Sequence, residues 1–133
     1  MEFDFSKFSS KDRYKLLSST VIPRPIALVS TIDENGVCNS APYSFFNVFA
    51  EDPATCVIGI AKRLDGGRKD TSRLIRESGE FVVNMVDMDI AEGMNISAID
   101  FAPEVDEFSL AGFTPVASRL VAPPRIAESP VSF

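Results

Sequence analysis

The chain has 133 residues, 45% of them hydrophobic and 24% charged, with a formal net charge of −6 and no histidine. That length suits a single domain, 1–133, with a core of its own, and the acidic balance argues against a nucleic-acid-binding face, which needs concentrated positive charge. Without histidine the commonest acid–base and metal-ligating side chain is missing, and Cys38 and Cys56, which have no close pairing, point to neither a disulfide framework nor a zinc site.

The N-terminal run MEFDFSKF carries acids among its apolar residues and lacks both a basic start and a cleavage site. No apolar run approaches the roughly 20 residues of a membrane span. The expectation is a cytoplasmic protein with no membrane partner. Ser10 to Leu17 reads as a short helix, after which Pro23 and Pro25 hold Arg24 in extended backbone. A strand follows, Ile26 to Thr31, and the cluster Asp33-Glu34-Asn35-Gly36 supplies residues that tolerate left-handed backbone and turn the chain into a hairpin. Thr55 to Ile60 and Glu80 to Val86 are further β-branched runs. Between them Asp70-Thr71 is expected to cap a helix over Ser72 to Ser78, with Leu74 and Ile75 on its buried side and Gly79 as its stop. Asp89 to Ala98 and Glu104 to Ala111 read as short helices, and Pro123-Pro124 precedes a last extended run from Arg125 to Phe133.

The basic residues are unevenly spread. Lys62, Arg63, Arg68, Lys69, Arg73 and Arg76 are six of the thirteen, packed into a segment leading from a strand through Gly66-Gly67 into a helix. Free N–H groups at a helix start and the positive end of its dipole favour phosphate, and Thr71 adds a hydroxyl. The alternative is a solvated loop whose cations balance Asp65, Asp70 and Glu77. The spacing of a phosphate-binding P-loop is absent from GGRKDT, which argues against a nucleoside triphosphatase.

Asn39 to Asn47 is the second candidate. A planar heteroaromatic ligand needs a flat apolar slot with donors and acceptors for its polar edge, and here Asn39, Ser40, Ser44 and Asn47 lie among Ala41, Tyr43, Phe45 and Phe46. Taken alone, these residues favour an ordinary strand end whose aromatics pack in the core. Three other features point away from function. Asn95-Ile96-Ser97 has the form of a glycosylation acceptor in a chain with no secretion signal. The carboxylate pairs Asp87/Asp89 and Asp100/Glu104 sit beside helix starts, where acids are favoured electrostatically. Cys38 reads as a small apolar filler more readily than as a reactive thiol.

Together VIPRPIALVSTIDENGVCNSAPYSFFN (21–47), KDTSRLIRESGEFVVN (69–84), DEFSLAGFTPV (106–116) and PPRIAESPV (123–131) resemble, in order, the motifs of the flavin reductase-like family. The resemblance implies a mainly β chain with short helices, an α+β arrangement of the FMN-binding split β-barrel of Greek-key type, incomplete at its C-terminus. It implies FMN as cofactor, NAD(P)H as an electron donor, and a homodimer with flavin near the subunit interface. It carries cofactor binding onto Thr31, Asn39, Ser40, Ser44, Phe45, Lys69 and Thr71, with Asn47, Arg24 and Arg63 beside them; no catalytic residue and no metal ligand is assigned. The expected function is an FMN-dependent oxidoreductase of NAD(P)H:flavin reductase type. The alternative is a non-catalytic FMN-binding electron carrier or a remnant without hydride transfer, because the reductases this chain resembles continue past their ESPV-like segment and often carry a nicotinamide-contacting histidine there. The segment after Pro124 is expected to cover a partner or an open sheet edge.

Overall fold

The computed structural model describes residues 2–63 and 65–133. Its centre is an antiparallel three-stranded sheet in the order β2 (Cys38–Tyr43), β1 (Ala27–Ile32), β5 (Val82–Met85). Because side chains alternate across a strand, Ala27 and Val29 enter one core, with Tyr43, Phe46 and Val83, while Leu28 enters another, with Ile90, Phe108, Phe113 and Ile126. β1 is therefore buried on both faces, and its sequence ALVSTI is accordingly apolar for most of its length. The turn from β1 to β2 falls where expected, with Gly36 at φ 84°.

β3 (Phe46–Glu51) and β4 (Ala54–Ile58) form a separate hairpin with an irregular register between Val48 and Ala50. β3 was not expected from the sequence: its first residue, Phe46, is buried, but Val48 and Phe49 face outward, so no inside–outside alternation marks it as a strand. α1 (Ser10–Thr20) outruns the expected Ser10–Leu17 by three residues and buries none of its side chains; the Ser9 hydroxyl caps it by accepting from Asp12 N at 3.1 Å.

α2 (Asp70–Ser78) packs on β1 and β2, buries Thr71 and Leu74, and ends at the left-handed Gly79 as expected. Its start differs from the expectation. The helix begins two residues earlier, with Lys69 in the cap position and no side-chain cap hydrogen bond. The physical reason is that the Asp70 carboxylate is taken by Arg63 and Arg73 instead of turning back onto the helix N–H groups.

α3 (Ala91–Ile96) and α4 (Glu107–Ala111) are shorter than expected and pack on each other and on β2. Asp106 caps α4 by accepting from Ser109 N at 3.1 Å. Phe108 meets Phe113 edge to face, ring centroids 6.1 Å apart. The helices approach so closely at Gly93 that a Cβ there would lie 2.6 Å from Phe113 Cε1 and 2.8 Å from the Ala111 carbonyl oxygen.

The final segment is not one continuous strand. Arg125–Ile126 (β7) pairs with Pro115–Val116 (β6), the chain turns at Ser129, and residues 131–133 then run beside β5. Val83 N donates to Phe133 O at 3.0 Å, Phe133 N to Val83 O at 2.9 Å, and Met85 N to Val131 O at 2.9 Å. The segment after Pro124 thus covers the β5 edge of its own sheet. Asn84 holds the junction. Wholly buried, its Nδ2 donates to Leu28 O and Ser30 Oγ, both at 3.1 Å, and its Oδ1 accepts from Ile126 N and Ser132 Oγ, both at 2.9 Å. Replacing Asn84 by Ala strands these partners in the interior, so urea unfolding should show a stability loss of about 2–4 kcal/mol.

Candidate functional site

β2, the start of α2, the 97–101 loop and the start of α4 surround a solvent-open cleft lined by Asn39, Ala41, Pro42, Tyr43, Arg63, Lys69, Asp70, Thr71 and Glu107, together with residues 97–101. Four of the ten sequence-selected residues, Asn39, Arg63, Lys69 and Thr71, meet here, although 32 positions separate Asn39 from Thr71. The strand end and the basic segment thus share one wall, where the Thr71 hydroxyl donates to Asn39 Oδ1 at 3.4 Å.

Arg24, Ser44, Phe45 and Asn47 are elsewhere. They line an apolar groove between α1 and the β3–β4 hairpin, where Arg24 Nε donates to Ser44 Oγ at 3.3 Å and its guanidinium lies 5.7 Å from the Phe45 ring centre. Ser40 is wholly buried and shares a 2.9 Å hydrogen bond with Ser97. Thr31 lies opposite Asn39 in the sheet, its buried hydroxyl without a hydrogen-bond partner among the described residues.

The basic segment divides between the two readings offered for it. Asp70 does pair with Arg63 at 2.5 Å and with Arg73 at 3.4 Å, and Glu77 pairs with Arg73 at 2.9 Å. Asp65 instead accepts from Gly67 N at 2.7 Å. Lys69 has only a 3.8 Å approach to the exposed Asp100, a contact that water screens heavily. Arg63 Nε and the Tyr43 hydroxyl, both buried at the cleft, have no hydrogen-bond partner among the described residues. Thr71 lies close enough to Tyr43 to favour its ionised form slightly, yet without hydrogen-bonding geometry; burial dominates and pushes the phenol up. The cleft therefore sets two cations among three carboxylates and adds unpaired donors and an uncapped helix start, the last two being features that suit an anion.

Sequence reasoning missed Tyr43 and Glu107 as cleft residues. In the sequence Tyr43 stands only among the apolar neighbours of the polar run, and Glu107 lies unmarked inside the expected helix Glu104 to Ala111. Glu107 Oε2 accepts from Asn39 Nδ2 at 2.5 Å and from Ser40 N at 2.8 Å, joining α4 to β2 across 67 positions. No local pattern signals such a contact. Burial, assisted by nearby Asp70 and Asp100, pushes its carboxyl from the ordinary 4.5 up to about 7, against the lowering effect of its two hydrogen bonds. Cys38 is part of the apolar packing, and burial pushes its thiol up, as befits a filler.

The flavin reductase like domain matches residues 18–133. The chain belongs to that family. An uncharacterized protein of Aquifex aeolicus (strain VF5) is 45% identical over 133 residues, covering 100% of this chain and 68% of its own. Two solved structures superpose closely. The 2-nitrobenzoate 2-nitroreductase NbaA of Pseudomonas fluorescens has TM-score 0.87 and 39% identity, covering 99% of this chain and 62% of its own. Nitrilotriacetate monooxygenase component B of Bacillus cereus has TM-score 0.92 and 36% identity, covering 99% and 65%. The α+β fold is thus that of the flavin reductase-like split barrels, and the chain spans about two thirds of the length of these relatives.

The raised Glu107 carboxyl has a defined effect on stability. The native state holds this proton between the ordinary 4.5 and about 7 while the unfolded chain releases it, so stability falls as pH rises through that window. Urea melts from pH 4.5 to 8 should show the wild type losing about 1–2 kcal/mol relative to Glu107→Gln, the figure being reduced for partial solvent screening. Parallel pH profiles would show that Glu107 titrates normally.

Proposed function

We propose that this chain is the flavin-holding part of an FMN-dependent oxidoreductase of NAD(P)H:flavin reductase type, with the FMN phosphate in the cleft at the start of α2. The observation that carries this reading is the uncapped first turn of α2 opening onto the same cleft as Lys69 and the unpartnered Arg63 Nε. A phosphate monoester would meet helix N–H groups and two cations there. The nicotinamide donor rests on the family resemblance alone.

These residues fit FMN by their donor chemistry. Lys69 and Arg63 would hold the phosphate, the buried Thr71, whose hydroxyl is given to Asn39, would offer its backbone N–H from the first turn of α2, and Asn39 with the Ala41–Tyr43 backbone would form the wall against which a flat ring lies. When bound, FMN supplies the capacity to accept and pass on electrons. The protein's part is to bind it, keep it from dissociating between turnovers, and leave one ring face open to a donor. NbaA and the nitrilotriacetate monooxygenase component, both by name parts of redox systems, agree in class with this reading.

We also propose that the protein is a homodimer. The support is apolar surface a lone chain leaves in water: on the β3–β4 hairpin Val48 is 68%, Phe49 79% and Val57 48% exposed, and the groove beside α1 continues this face.

Purified protein titrated with flavins and followed by visible absorption should bind FMN more tightly than riboflavin. Lys69→Ala and Thr71→Ala should each weaken FMN by about 1–3 kcal/mol while leaving riboflavin nearly unaffected. Equal affinity for the two flavins would refute the phosphate site. Light scattering at micromolar concentration should report a dimer, shifted toward monomer by Phe49→Asp; a stable wild-type monomer would exclude the association.

A further inference from the structure

Glu107 occupies an unusual place at this cleft. It comes from a five-residue helix, α4, and reaches across to β2. Both of its hydrogen bonds fall on one oxygen, Oε2; Oε1 takes part in none of the hydrogen bonds found among the described residues. By accepting from Asn39 Nδ2, the carboxyl fixes which way the Asn39 amide faces, and Asn39 Oδ1 is then the atom that receives the Thr71 hydroxyl. The chain Glu107–Asn39–Thr71 ends in the first turn of the helix that opens onto the cleft.

We infer that Glu107 is a positioning residue for the cleft, aligning Thr71 through Asn39, and that a phosphate group entering the cleft draws a proton from solvent onto the Glu107 carboxyl. The inference rests on the phosphate-binding reading above and adds a coupling that reading does not contain.

The physical basis is charge crowding. From α2, Asp70 faces this carboxyl with Arg63 and Arg73 bound to it; from the 97–101 loop comes Asp100, loosely met by Lys69; Asp33 borders Glu107 from the β1–β2 turn, Asp106 precedes it in the chain, and the neutral Tyr43 phenol faces the same cleft. A phosphate would add further negative charge to a space that already holds several carboxylates. Only Glu107 combines burial with a carboxyl already held near neutrality, so it is the group whose ionisation gives way. A proton on Oε1 leaves Oε2 free to keep both hydrogen bonds. Protonation therefore removes the charge without releasing Asn39. Glutamine at this position would do the same permanently, since its carbonyl oxygen can still accept from β2.

The test is calorimetric titration of the wild type, Glu107→Gln and Glu107→Ala with FMN at pH 7 to 7.5, in buffers of different ionisation enthalpy, with riboflavin as control. Wild-type protein should take up a fraction of a proton per FMN bound, and its Kd for FMN should rise about fivefold to tenfold between pH 6 and 8.5, the size set by about one unit of coupling. A bound phosphate losing its own second proton to solvent, its dianion favoured by the neighbouring cations, would give the opposite sign, release. Glu107→Gln should bind FMN without proton uptake and without this rise. Glu107→Ala, which frees Asn39, should bind FMN about tenfold more weakly than Glu107→Gln at every pH. Riboflavin binding should be independent of pH in all three.

Proton release in the wild type, or proton uptake unchanged in Glu107→Gln, would overturn the coupling. Equal binding by the Gln and Ala variants would overturn the positioning role. If the wild type binds no flavin, the FMN reading fails by itself, and thermal melts with inorganic phosphate decide the inference. Stabilisation by phosphate that fades from pH 6 to 8.5 in the wild type but not in Glu107→Gln supports it, and any other pattern, including no stabilisation, overturns it.

Discussion

The architecture turns on the buried amide of Asn84. An amide side chain has two donor hydrogens and an oxygen able to accept twice, and here all four capacities are used, toward β1 through Leu28 and Ser30 and toward the last segment through Ile126 and Ser132. Ser30 extends the tie by donating to Pro124 O at 2.6 Å. Because three of the four hydrogen bonds are buried, the interaction is costly to break and specific in geometry. It sets the level at which the final residues lie against β5 and brings Ile126 into the second core beside Leu28 and Phe108. That core in turn supports α4 from behind.

The cleft is a product of these arrangements. β1, buried on both faces, gives β2 a rigid neighbour, and the β1–β2 register puts Asn39 opposite Thr31, with its side chain within reach of Thr71. α2 lies across the two strands so that its uncapped end meets the same strand. Its amphipathic character explains the orientation: Thr71 and Leu74 go inward while Arg76 and Glu77 stay in water. The ion pairs of Arg63 and Arg73 with Asp70 are as much part of this as the cations, since they withdraw the carboxylate that would otherwise cap the helix.

Much of this was legible in the sequence, for local reasons. The β1–β2 hairpin announces itself by an apolar run followed by the turn residues Asp33 to Gly36, the α2 stop by Gly79, and the basic segment at the cleft by cations gathered before a helix in an acidic chain. The illegible parts depend on contacts distant in sequence. β3 could not be read because Val48 and Phe49 point outward, breaking the expected alternation. The helix start was misplaced because an Asp-Thr pair has the composition of a cap, and only the position of Arg63 reveals that Asp70 is otherwise engaged. Ser44, Phe45 and Asn47 stand near Asn39 in the chain, but the bend after Tyr43 sends these three to a different groove, where Arg24, a candidate through the family resemblance, meets Ser44. Glu107 left no local trace, since its role exists only once α4 is folded against β2.

The brevity of α4 has a consequence for how the protein responds to temperature. Five residues cannot sustain a helix in water, so α4 persists through its Asp106 cap and the burial of Phe108 against Phe113. Anchoring of that kind is driven by the removal of apolar surface from water, which weakens on cooling, while hydrogen bonds to water do not weaken in the same way. The wall of the cleft carrying Glu107 is accordingly its cold-sensitive side, whereas the wall formed by the β1–β2 ladder and α2 keeps its backbone hydrogen bonds. In a cold-adapted relative, selection would act first on the aromatic pair behind α4, residues outside the cleft lining.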